Sequence, residues 1–141
     1  MITLATKPDP APLSRTLLRL RHDFVMLGRA GAKPLPEPFA ERLGPLIMQT
    51  GIEASDYLRH SAAALLDGKG PAPLSAFEAA LTRYQAAFEE MRLDGVTLGY
   101  SSGEVEPLFA LGFILEQLHS NFQDLARCVN EYAAGRRGKV A

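Results

Sequence analysis

Residues 108–132 read LFALGFILEQLHSNFQDLARCVNEY, and this stretch decides the fold. Leu108, Leu111, Leu115, Leu118, Phe122, Leu125, Val129 and Tyr132 recur at alternating steps of three and four without a miss. Such spacing gathers side chains on one face of an α-helix, because 3.6 residues complete a turn. Upstream, Ser101 and Glu104 have the spacing of a capping box, and Pro107 fits only near a first turn. Downstream, Gly135 is a stop signal, and Arg136, Arg137 and Lys139 suit the negative end of the helix dipole.

Three more periodic segments precede it. The third opens at Ser75-Ala-Phe-Glu78, another capping-box pattern, and carries Phe77, Leu81, Tyr84, Phe88 and Met91 at helical steps. It stops at Asp94-Gly95, and a loop over residues 94–103 follows. The second covers residues 37–66, with Phe39, Leu43, Leu46, Ile47, Ile52, Tyr57, Leu58 and Leu65 as its apolar members. Gly44-Pro45 falls inside it and predicts a kink or a break, because Pro45 cannot donate to the Glu41 carbonyl. The first covers residues 14–30, with Ser14 as N-cap, Leu13 and Leu18 as a hydrophobic staple, and Gly31 as its stop. Leu13, Leu17, Leu20, Phe24 and Leu27 form its stripe.

No stretch has the period-two alternation of a half-buried strand. Short connections favour antiparallel neighbours. The expected fold is therefore all-α, an antiparallel up-down four-helix bundle over residues 14–135. Residues 1–13 are read as a tail or linker, and residues 136–141 as a basic tail. An alternative is a pair of helical hairpins that complete their core by pairing with a second copy.

The chain has 141 residues, one domain's worth, with 47% hydrophobic and 22% charged residues, which is globular rather than disordered composition. Fifteen basic residues against sixteen acidic ones argue against a general nucleic-acid binder. A single cysteine, Cys128, excludes an intramolecular disulfide and reads as a small half-buried residue. The opening MITLATKPDPAP lacks the pattern of a signal peptide, and no apolar run reaches the ~20 residues that span a bilayer. A soluble protein is expected.

Catalytic chemistry is hard to find. His22, His60 and His119 sit in no HExxH or Cys/His arrangement of ligand spacing. Glu116 and His119 have the Glu-x-x-His spacing of metal-binding bundles, but no second copy of the motif exists. Ser101-Ser102-Gly103 reads as loop and cap, and Gly68-Lys69-Gly70 as a turn. The expectation is a non-enzyme with no catalytic residue, no metal and no cofactor.

Two features point to contacts instead. Residues 1–33 hold Lys7, Arg15, Arg19, Arg21, Arg29 and Lys33 against Asp9 and Asp23, so Arg15, Arg19 and Arg29 are candidates for an anionic lipid surface or ligand. Phe109, Phe113 and Ile114 form a second apolar set beside the main stripe of the last segment. A bundle helix needs an apolar face of only about 100°. The excess marks a candidate partner interface, with a homodimer as the simplest outcome.

Several phrases resemble one family. Arg19-Leu-Arg-His-Asp-Phe-Val-Met-Leu-Gly-Arg-Ala30 is followed by Pro34-Leu-Pro-Glu-Pro38, and Leu108-Phe-Ala-Leu-Gly-Phe-Ile-Leu-Glu-Gln-Leu118 by Asn121-Phe-Gln-Asp-Leu-Ala-Arg127. Together these are similar to the C-terminal soluble helical region of fusaric acid resistance (FUSC) proteins, the aromatic acid exporters of bacterial inner membranes. The resemblance implies a cytoplasmic module at the inner face of the bacterial inner membrane, working in efflux beside the membrane part of an exporter. It implies no ligand residue at any position. A basic first helix would suit the cytoplasmic flank of a membrane helix. The competing expectation is a helical domain that binds an aromatic carboxylate, clamped by an arginine.

Overall fold

The computed structural model describes the backbone of residues 8–140 and the side chains of residues 8–135. Among the described residues the chain is all-helical: α1 is Pro10–Gly31, α2 is Phe39–Asp67, α3 is Ser75–Leu93 and α4 is Ser102–Val140. A 3-10 turn, Val96–Gly99, lies in the loop before α4. The expected all-α four-helix bundle is what forms.

Helix starts depart from the sequence reading. Asp9, not Ser14, caps α1: its side chain accepts from the Ala11 amide at 3.0 Å, and Pro10 brings a φ suited to the first helical position. The helical unit thus begins at Pro10 rather than at Ser14. Leu18 is exposed, so the staple with Leu13 does not form. Ser75 is the first residue of α3 rather than its cap, and Glu78 turns away to α4, so that capping box is absent. The box at α4 does form in part, with the Ser101 amide and hydroxyl both donating to Glu104 Oε1. Residues 136–140 continue α4 rather than forming a separate tail. The side chains of Arg136, Arg137 and Lys139, like residues 1–7, lie outside the described set.

The helix α2 runs through Gly44-Pro45 without a break. Pro45 is not part of the buried core and sits in the second turn, where only one carbonyl loses its donor. Phe39 and Leu43 before it are fully buried, and Leu46 and Ile47 after it pack on the core, so tertiary packing holds the helix on course. The helix ends at Gly68, whose φ of 67° supplies the left-handed stop.

Cross-helix pairs fix the directions. Arg42 meets Glu90 while Tyr57 and Phe77 both stack on Phe122, and His119 meets Glu78 while Phe88 meets Phe109. Hence α2 is antiparallel to α3, and α3 to α4. Arg19, midway along α1, meets Asp124, while Met26 and Arg29 toward its C-terminal end lie beside Glu106 and Ala110, so α1 is antiparallel to α4. The path is up-down-up-down. Its packing is uneven: α1 lies along α4 and α2 along α3, α4 joins the two pairs, and α1 has no extensive packing against α2.

Because α4 serves three neighbours, it buries more than one stripe. Leu108, Leu111, Leu115, Leu118, Phe122, Leu125 and Val129 are all buried, as the spacing requires, and so are Ile114, Asn121, Cys128 and Ala133. At the centre, the Phe122 ring lies 4.7 Å from Tyr57 and 5.0 Å, edge-on, from Phe77. The Tyr57 hydroxyl donates to the Phe122 carbonyl at 3.2 Å.

Candidate functional site

The α1–α4 contact is organised by polar residues. Asp23 and Asn121 are both 6% exposed, and Asn121 Nδ2 donates to Asp23 Oδ2 at 2.6 Å. Arg19 Nε donates to Asn121 Oδ1 at 3.1 Å, and Arg19 reaches Thr16 Oγ1 and Asp124 Oδ2, each at 3.2 Å. Arg127 pairs with the other Asp124 oxygen. This explains why the buried face of α1 is Thr16, Leu20 and Asp23, while Leu17 of the expected stripe is exposed. Arg19, one of the candidate anion contacts, pairs with Asp124 while its side chain stays 49% exposed. Arg15 and Arg29 remain exposed.

Where α1 and α2 fail to pack together, a cleft of about 640 Å³ opens, floored by α4. Phe24 and Leu27 line it from α1, Ile47 and Met48 from α2, and Leu111, Leu115 and Leu118 from α4. Gly28, Gly44 and Gly51 present bare backbone to it, and a Cβ added at any of them would meet no atom within 4 Å. The Thr50 hydroxyl is consumed by the Leu46 carbonyl at 2.8 Å. Lys33, in the loop between α1 and α2, is the one charged residue of the lining. It forms no ion pair or side-chain hydrogen bond among the described residues. The cleft therefore has apolar walls and a lone positive charge at the α1–α2 loop end, where the sequence reading expects an arginine.

A second groove, about 510 Å³, lies between α3 and α4. Phe88 and Phe109 line it in edge-to-face contact, with ring centroids 5.3 Å apart. Phe113 stands beside them, 63% exposed, and Phe109 is 47% exposed. Glu89, Arg92 and Glu116 give the groove mixed charge. Tyr84 also lines it, and its buried hydroxyl has no hydrogen-bond partner. Burial pushes that hydroxyl's pKa from 10 up to about 12. Ile114 does not share this surface: it is 8% exposed and faces the side of α1 that carries Met26 and Arg29. The expected interface set is thus corrected to Phe109 and Phe113.

The remaining candidates scatter. His22 and His60 are exposed on different helices. His119 Nε2 lies 2.9 Å from Glu78 Oε2, bridging α4 to α3, whereas Glu116 accepts from Gln85 Nε2 at 3.4 Å. The Glu-x-x-His pair therefore engages two different residues of α3. Among the described residues no group of three or more His, Cys, Asp or Glu side chains could hold a metal ion. Cys128 is buried, more fully than the half-burial expected of it.

Sequence reasoning misses the cleft and the polar seam. Asn121 sits one position before Phe122 of the leucine stripe and Asp23 one before Phe24, places where a polar residue reads as flank. The signal for the cleft is the presence of glycines inside helical segments, at 28, 44 and 51.

No helix among the described residues is long and apolar enough to cross a membrane. Comparison of the chain with models of known protein families, with curated proteins and with solved structures finds no match.

Proposed function

We propose that the chain is a non-enzymatic interaction and assembly domain that serves a bacterial inner-membrane exporter of aromatic acids, of the fusaric acid resistance type, from the cytoplasmic side. The observation that carries the interaction half is the exposed pair Phe109 and Phe113 beside the α3–α4 groove. Aromatic surface of this kind is unfavourable in water and is characteristic of partner sites. The exporter half rests on the resembling phrases, whose residues Arg19, Asp23, Asn121 and Asp124 meet in one polar seam. The partner is a second copy of the chain or the membrane part of the exporter. Exposed Arg15 and Arg29 suit an anionic membrane surface. Deleting the gene should lower the host's tolerance of hydroxybenzoic and related aromatic acids. Unchanged tolerance would overturn the exporter assignment.

A second reading, binding of an aromatic carboxylate, is favoured by the apolar cleft with Lys33 at its end. Saturable binding of benzoate to the purified chain, weakened by Lys33→Gln, is its expected result. No benzoate binding at millimolar concentration would remove it.

A further inference from the structure

We propose that the cleft between α1 and α2 takes a single-chain aliphatic carboxylate, its head at Lys33 and its hydrocarbon chain lying along α2 toward Ala54 and Leu118. The proposal rests on the carboxylate-binding reading of the cleft and departs from it in the carbon skeleton. Four observations carry it.

The first is charge. Lys33 is the single ionic group of the lining, no acidic residue lies there, and no described residue pairs with it. A monoanion is complementary, and a cation or a zwitterion is not. The second is the character of the walls. Apart from Phe24 they are aliphatic or bare backbone, so an aromatic ring finds one stacking partner where a methylene chain finds dispersion contacts throughout. Thr50 donates its one hydroxyl proton to the Leu46 carbonyl, so the walls offer no side-chain donor besides Lys33, and acceptor groups along a ligand's body would be desolvated without a partner.

The third is extent. From Gly44 to Ala54 the cleft follows α2 for roughly 15 Å at a rise of ~1.5 Å per residue. That run, and a volume of about 640 Å³, suit a medium-length acyl chain better than a one-ring acid. The fourth is the glycines. Glycine weakens a helix interior, and close approach of another chain is its ordinary justification. At Gly28, Gly44 and Gly51 no atom comes within 4 Å of the place a Cβ would take, so what these residues supply is room.

The test uses the full chain and three probes below their micelle concentrations: dodecanoate, dodecyltrimethylammonium and benzoate. Calorimetry should show saturable binding of dodecanoate, and far weaker binding both of the ammonium of the same chain length and of benzoate, the latter only at millimolar concentration. Lys33→Gln should weaken dodecanoate about fivefold, the scale of one solvent-accessible ion pair. Gly51→Leu should block the chain. As a check independent of that variant's folding, dodecanoate should shift the wild-type methyl resonances of Ile47 and Leu118 and leave Leu125 in place. Equal binding of both twelve-carbon probes, or shifts centred on the Phe109 and Phe113 groove, would overturn the proposal. Binding of benzoate without dodecanoate would overturn the aliphatic chain and keep the carboxylate reading. Binding of neither would remove both.

Discussion

Asn121 holds Asp23 at 2.6 Å across the α1–α4 contact, with both side chains almost wholly buried and Arg19 closing the network from its rim. A buried acceptor that loses its donor keeps its full desolvation cost, whereas removing both partners leaves no polar group stranded. Asn121→Ala should therefore destabilise the fold by about 2–4 kcal/mol in denaturant melts. The Asp23→Ala/Asn121→Ala double variant should lose clearly less than the sum of the single losses. Strict additivity would mean that the two residues do not act as a pair.

At the core, Phe122→Ala removes a ring packed against both Tyr57 and Phe77. The expected loss is about 3–5 kcal/mol. A loss under about 1 kcal/mol, the scale of a surface substitution, would contradict the placement of α4 at the centre.

The glycines of the cleft predict the opposite sign. Gly51 lies in the middle of α2 with open space where a Cβ would stand. Gly51→Ala should raise stability by about 0.5–1 kcal/mol, through helix propensity and a less flexible unfolded chain. Destabilisation would mean that something packs closely there in solution.

Tyr84 joins stability to alkaline pH. Its pKa is about 12 in the folded chain against 10 for an exposed tyrosine, because burial disfavours the phenolate. Above pH 10 the unfolded chain gives up this proton while the folded chain keeps it, so the stabilisation present below pH 10 declines as pH rises toward 12. Tyr84→Phe should flatten that decline. At neutral pH it should be neutral or stabilising by up to about 1 kcal/mol, since the hydroxyl it removes has no partner. An identical alkaline melt for both proteins would contradict the burial of this group.

The legible parts of this fold are the helices whose buried face is apolar. The stripes of α4 and of α3, from Leu108 to Val129 and from Phe77 to Met91, carry their periodicity because leucines and aromatics mark every inward turn. The face of α1 is not legible in this way. Asp23 points inward by virtue of Asn121, and hydrophobicity carries no trace of a hydrogen-bond partner about a hundred residues away. Pro45 shows its local cost in the sequence, while the packing of Leu43 and Ile47 that overrides this cost is a tertiary fact. Ile114 marks the same limit: beside Phe113 it reads as surplus, and it is buried because α4 has neighbours on more than one side. The cleft exists because two helices do not meet, a tertiary fact whose local trace is the glycines at 28, 44 and 51.

The interaction role is tested most directly by sedimentation equilibrium of the wild-type chain and of Phe113→Glu. Phe113 is exposed, so glutamate there should leave helicity and melting temperature nearly unchanged. The wild type should self-associate with concentration, and Phe113→Glu should weaken that association by at least about tenfold, the effect of placing a charge in an apolar contact. A wild type that stays strictly monomeric at high concentration, or a variant that associates as tightly as the wild type, would contradict self-association through the Phe109 and Phe113 surface.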